Sequence, residues 1–271
     1  MISAARERAA ATTGLDGDVL DHLAAHRQAD LTPAELGRID ATLGLVPTGV
    51  VSVLDVGCGD ARVSRRLAGP SCRLVGVDYS GLSLKTLGFP AVSAASERLP
   101  FRDASFDLVL CCEVLEHLPS GALEGTVEEL KRVARRYILV SVPNKEKLTL
   151  LHTRCSRCGS TFHIWGHLHA FSSRKLDRLF ALGRSAVTRY FGDPRPFHFG
   201  FVQYLNQRLG NRWTEFDVVT MCPTCGNTKF ERTGRNVVTV LCGAINLLTA
   251  KLVPVLRKNW LLKLYEIDRD R

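Results

Sequence analysis

The chain has 271 residues, of which 45% are hydrophobic, so it can bury a sizeable core and global disorder is excluded. A formal charge of +9 favours a nucleic acid, an anionic membrane surface or a phosphorylated substrate as partner, although an inert basic surface gives the same balance. The first residues carry charges but no apolar run, which predicts a cytoplasmic protein without a secretory signal.

The N-terminal part of the chain is expected to form a polar helical cap over residues 1–45. Within it, Thr32, Pro33 and Glu35 supply an N-cap, a first-turn proline and an acid in the order typical of a helix start. One later helix is expected to begin at Thr126, where Thr-Val-Glu-Glu has a capping-box pattern, and another should cover residues 172–182. Strands are predicted over residues 51–56, 73–78, 90–94, 106–112 and 137–142.

This alternation of strands and helices predicts an α/β fold, a doubly wound, mostly parallel, Rossmann-like sheet over residues 46–150. Ligands of such sheets bind beyond the carboxyl ends of the strands. Gly57, Asp78 and Glu113 each stand at or just past a predicted strand end, so we expect them to converge on one site.

The most informative stretch is a glycine turn between two strands. Leu54-Asp-Val-Gly-Cys-Gly59 reads as a buried strand and a turn that opens a helix, and the next strand ends at Asp78. Glycine permits positive φ and close approach of the backbone to a ligand, and a helix N-terminus offers unpaired N–H groups. An acid about 20 residues beyond such a turn can hydrogen-bond a ribose diol.

The order of these pieces resembles the class I S-adenosylmethionine-dependent methyltransferases, over roughly residues 45–182. Two further segments carry the resemblance, Leu99–Leu110 and Glu113–Pro119. It implies S-adenosylmethionine as the cofactor. The cofactor-binding residues that it implies are Asp55, Gly57, Cys58, Gly59, Asp78, Tyr79, Ser96, Glu97 and Cys112.

Two positions depart from related patterns. Ala61 stands near the place of the third glycine of a dinucleotide fingerprint, which favours a methyl donor over a nicotinamide dinucleotide. Ala95 stands where relatives often carry an Asp near the adenine, so Ser96 or Glu97 is the expected substitute.

A second constellation follows the fourth predicted strand. Glu113, Glu116 and His117 have i, i+3, i+4 spacing, which on a helix brings two carboxylates and an imidazole to one face. Many methyltransferases of this class carry a similar Glu-His-Leu without a metal, so the spacing alone leaves a structural role open.

The segments Val140–Glu146 and His163–Phe171 resemble the small-RNA 3′-terminal ribose 2′-O-methyltransferases, and the Glu-x-x-Glu-His run is also similar to the ubiquinone-pathway O-methyltransferases. The resemblance implies a divalent ion, Mg, Mn, Fe or Zn, held by Glu113, Glu116, His117 and His167. It makes His117, His167 and Glu113 the candidate catalytic residues. Without a metal, His117 or His167 would be the general base. His163 and His169 are spare ligands, or they pack beside Trp165 and Phe171.

The insertion over residues 151–235 contains two matching cysteine knuckles, each Cys-x-x-Cys followed by Gly. Two such knuckles predict a tetrahedral, closed, structural zinc site, whose rivals are a redox pair and coincidence. The predicted ligands are Cys155, Cys158, Cys222 and Cys225. The remaining five of the nine cysteines fit the role of small buried hydrophobic residues.

The C-terminal segment, residues 236–271, is strongly apolar but is interrupted by Lys251 and Pro254. With its tryptophan and basic residues it suits a helix that lies on a membrane surface, and equally a final helix and strand that complete the domain. It has a loose likeness to the ends of methyltransferases that act on glycans and lipid-linked saccharides.

The favoured function is O-methylation of a hydroxyl, most simply in a vicinal diol, of a small molecule, a sugar or a lipid-linked glycan. An RNA methyltransferase is the first alternative, favoured by the charge and the ribose-methylase likeness but lacking an identifiable RNA-binding module in the sequence. The second is a non-catalytic cofactor-binding protein in which the zinc-knuckle insertion recruits a partner.

Overall fold

A computed structural model describes residues 31–85, 87–182, 185–194, 198–213, 220–230, 234–253 and 257–268. Residues 1–30 of the expected N-terminal cap lie outside the described residues, so the cap is represented by its last helix. That helix, α1, covers Pro33–Leu43, and its Thr32–Glu35 capping box is present as predicted. A four-residue helix, α2, covers Gly81–Leu84.

The centre of the molecule is a seven-stranded sheet. Its strands are β1 Ser52–Val56, β2 Arg73–Asp78, β3 Ala91–Ser93, β4 Phe106–Cys112, β5 Ala134–Pro143, β8 Val187–Pro194 and β9 Lys258–Glu266. They lie in the order β3-β2-β1-β4-β5-β9-β8. β1 to β5 are parallel neighbours, as predicted, whereas β9 and β8 add to the edge in antiparallel pairs. The sheet thus recruits two strands from beyond residue 150.

Helices cover both faces of the sheet. On one face, α3 (Ser120–Val133) and α4 (Ser173–Phe180) bury Leu130 and Phe180 against the strands. On the other face, α1 buries Ile39 against Leu108 and Leu139. Because the central parallel strands β1 and β4 are covered on both faces, they are buried along almost their whole length, as in the Rossmann-like architecture expected of this α/β chain.

The expected helix start at Thr126 is wrong. Helix α3 already begins at Ser120, and Thr126 is a buried residue of its second turn. Its hydroxyl lies 2.7 Å from the Ser96 hydroxyl, so a tertiary contact satisfies the side chain that the local pattern assigned to a cap.

The rest of the chain forms the insertion and the tail. Strands β6 (His152–Arg154) and β7 (Thr161–His163) make a small antiparallel hairpin. Helix α5 (Gly200–Arg208) packs against helix α6 (Val237–Leu252). The tail therefore completes the sheet through β9, while α6 lies outside the core. Among the described helices, none combines the length and apolar content required to cross a membrane.

Candidate active site

The glycine turn is fixed to the neighbouring strand by its backbone. The amides of Gly57 and Cys58 both donate to the carbonyl of Val77, at 2.7 and 3.0 Å. Gly57 has φ +71° and Gly59 has φ +51°, the region in which a side chain is strained. The helix that the turn leads into is a short 3-10 helix over Ser64–Leu67.

Asp78 joins the two loops at the carboxyl ends of β1 and β2. One carboxylate oxygen accepts the amide of Gly59 at 2.8 Å, and the other accepts the amide of Ser80 at 2.9 Å. These bonds fix the carboxylate at the carboxyl ends of β1 and β2, the edge at which ligands of such sheets bind. The geometry is consistent with the cofactor role predicted for this acid.

Gly57 also touches the segment that follows β4. A β-carbon added to Gly57 would lie 2.3 Å from Cγ2 of Val114, a separation that real atoms do not adopt. Only glycine permits this approach. The predicted cofactor turn and the segment with Glu113, Glu116 and His117 are therefore packed directly against each other.

The other predicted cofactor residues divide into two groups. Asp55 and Cys112 lie at the ends of β1 and β4, and burial raises the pKa of Asp55 to about 7 and that of Cys112 to about 12. Cys58 is buried in the glycine turn, and Tyr79 follows Asp78, with its carbonyl accepting from Ser93 at 3.2 Å. Ser96 and Glu97 lie against helix α3: Ser96 contacts Thr126, and Glu97 lies beside Gly125.

Glu116 is the centre of the second constellation. It has no exposed surface, and neither oxygen of its carboxylate has a hydrogen-bond partner among the described residues. Burial, followed by the charge of Glu113, raises its pKa well above the ordinary value. Ligand atoms of Glu116, His117 and His167 lie within 4.8 Å of one another. A buried carboxylate beside two imidazoles requires a proton or a cation as its counterpart.

Backbone hydrogen bonds hold this group together. Residues Leu115–His117 form a 3-10 turn, and the carbonyl of Glu116 accepts the amides of Leu168 and His169 at 2.7 and 3.2 Å. This pairing draws the 163–171 loop onto the turn. The rings of His117 and His167 consequently meet edge to face, with centroids 4.8 Å apart.

Glu146 is a member of the site that the sequence did not reveal. Its buried carboxylate contacts Nδ1 of His167, and ligand atoms of Glu146, His163 and His167 lie within 4.8 Å of one another. His163 accepts the amide of His167 at 3.2 Å and stacks on its ring with centroids 4.5 Å apart. His169, the other spare candidate, lies beside Phe171 with centroids 6.1 Å apart. The position of Glu146 could have indicated this role. It follows β5, and β5 ends at the same edge of the sheet as its parallel neighbour β4.

Glu113 does not join the Glu116 group. It has φ +57° and precedes the 3-10 turn, so the expectation that Glu113, Glu116 and His117 share one helical face is wrong. Its carboxylate accepts the Ser141 hydroxyl at 2.9 Å and the indole N–H of Trp260 at 3.1 Å, and Arg38 lies 3.8 Å away. These partners come from β5, β9 and α1, and the group of ligand atoms that Glu116 forms with His117 and His167 does not include Glu113.

The four knuckle cysteines form one cluster. Cys155 Sγ lies 3.7 Å from Cys225 Sγ, Cys158 Sγ lies 3.6 Å from Cys222 Sγ, and all four sulfurs lie within 4.8 Å of one another. A disulfide needs sulfurs about 2.05 Å apart, so these are four thiols. The two knuckles have the same fold: in each, the residue after the second cysteine is a glycine, with φ +74° at Gly159 and +68° at Gly226.

The two loops also match in their hydrogen bonds. In each knuckle the amide of the first cysteine donates to the carbonyl five residues later in the chain. The amide of the glycine donates to the carbonyl of that same cysteine. These bonds measure 2.8 and 2.9 Å in both knuckles. The cysteine arrangement predicted from the spacing is therefore present in three dimensions.

Comparison with known proteins identifies the central domain. Residues 54–137 match the family model described as a methyltransferase domain. The ubiquinone biosynthesis O-methyltransferase of Paracidovorax citrulli is 35% identical over 104 residues, which cover 34% of this chain and 42% of that protein. The enzyme of the same name from Cupriavidus pinatubonensis is 34% identical over 128 residues, 43% of this chain and 49% of that protein. The chain thus spans less than half the length of these curated relatives.

Solved structures extend the likeness of fold over most of the chain. One chain of the Haloferax volcanii complex between the Trm112 methyltransferase activator and a methyltransferase aligns with a TM-score of 0.54 at 15% identity, covering 92% of this chain and 96% of that one. A methyltransferase dependent on S-adenosylmethionine from Archaeoglobus fulgidus aligns with a TM-score of 0.51 at 16% identity, covering 85% and 92%. Residues 54–137 are therefore a methyltransferase domain, and the solved structures show the same fold over most of the chain.

Proposed function

We propose that this protein transfers the methyl group of S-adenosylmethionine to a hydroxyl oxygen of its acceptor. The observation that carries the proposal is the buried carboxylate of Glu116, which faces His117 and His167 and has no hydrogen-bond partner among the described residues. Glu116 and His117 follow Val114 in the chain, and Val114 packs on the glycine turn. Curated relatives over the same region are O-methyltransferases, which favours oxygen as the acceptor atom.

The donor set of Glu116, His117 and His167 fits a divalent ion, because a carboxylate and two imidazoles suit Mg, Mn, Fe or Zn. Such an ion, when bound, would polarise the acceptor hydroxyl and lower its pKa. Two adjacent hydroxyls can chelate one ion, which supports a vicinal diol in a small molecule, a sugar or a lipid-linked glycan. The ribose of RNA is also such a diol, and the charge of +9 suits that acceptor.

The protein's own contribution is to position the reactants and to receive a proton. Glu146 engages Nδ1 of His167, which leaves Nε2 of that ring to face the ion or, where no ion is bound, to take the proton of the acceptor hydroxyl as general base. The oxygen then forms a bond to the methyl carbon while the carbon–sulfur bond breaks, and S-adenosylhomocysteine leaves. Glu113 would support the site without touching the reactants, because its carboxylate links the end of β4 to Ser141 and Trp260. Positioning in a water-poor pocket supplies most of the rate.

We further propose that the cysteine cluster holds one structural zinc ion. Tetrahedral coordination with zinc–sulfur bonds of about 2.3 Å puts the sulfurs about 3.8 Å apart. The close pairs of this cluster, at 3.6 and 3.7 Å, agree with that spacing. Four thiolates leave no open position, so this ion would hold the insertion together and take no part in the reaction.

A comparison of two glutamates tests the proposed catalytic site. Glu116→Gln should abolish methyl transfer to a catechol probe and weaken divalent-ion binding at least tenfold, with S-adenosylhomocysteine binding unchanged by calorimetry. Glu113→Gln is the matched control, because glutamine can keep bonds to Ser141 and Trp260. It should retain ion binding.

Circular dichroism of each variant, in chelated and reloaded samples, separates loss of the site from loss of the fold. Equal loss of ion binding in both variants would contradict the assignment of Glu116. Full activity in a folded, metal-free enzyme would remove the ion from the proposal and leave His167 as the general base.

A further inference from the structure

Helix α6 packs with its polar side inward. Thr239 and Cys242 are its buried residues, and Asn246 and Thr249 continue the same half-buried stripe. The apolar side chains point outward: Leu241 is 59% exposed and Leu252 is 69% exposed. A helix at a water-facing surface has the opposite arrangement. The outer side of α6 is therefore suited to an apolar environment and not to water.

Helix α5 extends this surface. Phe201 is 69% exposed, Tyr204 is 55% exposed and Leu209, just past its end, is 63% exposed. The two helices are joined by the side chain of Asn236, which donates to the carbonyl of Leu209 at 3.3 Å. We call the exposed apolar side chains of α5 and α6 the two-helix surface. Contiguous apolar exposure of this kind marks a binding surface.

The charged residues within the two segments that carry the two-helix surface are all basic. Residues 198–213 and 234–258 contain no Asp or Glu in the sequence. They contain six basic residues, Arg208, Arg212, Arg235, Lys251, Arg257 and Lys258. An apolar face with a basic margin complements an anionic lipid surface. A second copy of the chain fits less well, because two such surfaces would bring like charges together without acids between them.

The length of α6 excludes a spanning orientation. Sixteen residues of helix extend about 24 Å, less than the roughly 30 Å of the hydrocarbon core. A helix of this length with an apolar outer side and basic flanks lies in the plane of the interface.

We propose that the two-helix surface docks the protein on an anionic lipid bilayer, with α5 and α6 in the plane of the headgroups. The surface is connected to the candidate active site, since Gln207 of α5 donates to the carbonyl of Thr149 at 2.8 Å and Lys147 contacts the carbonyl of His198. Lys147 and Thr149 follow Glu146 by one and three residues. Docking would bring the acceptor side of the site to the membrane, a consequence that rests on the proposed function, whereas docking itself does not.

Flotation of the full chain with vesicles tests the proposal without any measurement of activity. The protein should float with vesicles of phosphatidylcholine and phosphatidylglycerol and much less with phosphatidylcholine alone. The double variant Leu241→Gln/Leu248→Gln should bind at least tenfold more weakly. Leu36→Gln, which alters an exposed leucine of helix α1, is the matched control and should bind like the wild type.

The basic margin is tested separately. Arg235→Gln and Lys251→Gln should each weaken binding to the anionic vesicles about fivefold, the ratio that corresponds to about 1 kcal/mol per basic residue near such a surface. Binding of S-adenosylhomocysteine by each variant confirms that the fold and the donor site are intact, so failure to float is distinct from failure of the enzyme.

Three results would overturn the proposal. The first is absence of flotation by the folded wild-type protein. The second is flotation that is equal on neutral and anionic vesicles. The third is a dimer in analytical ultracentrifugation that Leu241→Gln/Leu248→Gln dissociates, which would assign the surface to a second copy of the chain.

Discussion

The contact between Gly57 and Val114 can be tested by a single added methyl group. Gly57→Ala introduces a β-carbon that would lie 2.3 Å from Cγ2 and 3.2 Å from Cγ1 of Val114. It also imposes a φ of +71° on alanine. Because the cofactor turn and the Glu116 segment meet at this point, we expect the change to disturb both stability and cofactor binding.

The two costs can be separated by a second glycine. Gly49 has φ +75° but nothing within 4 Å of an added β-carbon, so Gly49→Ala should cost only the backbone strain, about 1–2 kcal/mol. Gly57→Ala adds overpacking of about 1–3 kcal/mol, which gives a total of about 2–5 kcal/mol. The difference between the two variants therefore measures the steric term.

A double-mutant cycle then assigns that term to its partner. Val114→Ala removes both γ-carbons that the new methyl group meets, so Gly57→Ala should be less destabilising in that background by about 1–3 kcal/mol. Urea unfolding gives the free energies, and calorimetry with S-adenosylhomocysteine gives the affinity. Gly57→Ala should bind S-adenosylhomocysteine weakly, whereas Gly49→Ala should bind it with wild-type affinity. Equal stability of the two alanine variants, or additive effects of the changes at 57 and 114, would refute the reasoning.

Three further predictions concern single side chains. Asp78→Ala should weaken S-adenosylmethionine binding at least tenfold in calorimetry, since it removes both the proposed ribose acceptor and the partner of the Gly59 amide; unchanged affinity would sink the cofactor assignment. Cys222→Ser should lose the zinc found by elemental analysis and lower Tm, while Cys72→Ser should do neither, and a zinc content equal to wild type would contradict the four-thiolate site. Burial opposes ionisation of Asp107, yet amide and hydroxyl hydrogen bonds hold the pKa of that carboxyl below its ordinary value, so its stabilisation is present above about pH 4 and is lost as the pH falls. In Asp107→Asn the free energy of unfolding should fall less steeply as the pH is lowered below about 4. An unaltered dependence of that free energy on pH would show that another group causes the loss of stability in acid.

Features fixed by local chemistry followed from the sequence. The strand, the glycine turn and the acid at Asp78 form as predicted, because positive φ and a buried apolar run are local requirements. The cysteine knuckles form for the same reason, since each turn closes on its own backbone bonds. The Thr32 capping box is a third example. In the knuckles and the capping box the interactions lie within a few residues.

Features that depend on distant segments did not follow. The role of Glu113 is decided by Trp260, 147 residues away along the chain, and by Arg38 of α1. Glu146 enters the site because the 163–171 loop folds back onto Glu116, and no spacing rule relates Glu146 to His167. The mismatch at Thr126 has the same origin, since its hydroxyl is used by Ser96. Local patterns carry no information on such pairings.

The contacts divide the candidate active site into a donor half and an acceptor half. The proposed donor half comes from the parallel core: Gly57 directly follows β1, Asp78 ends β2, and bonds between these two strand ends fix them. The acceptor half is assembled from additions to the core, because the loop that carries His167 belongs to the insertion and Trp260 belongs to β9. Both halves meet on the short segment from Glu113 to His117. Changes in the insertion can therefore reshape the acceptor side while the donor side keeps its geometry, which explains how a shared core of residues 54–137 accompanies elements that the matched domain does not include.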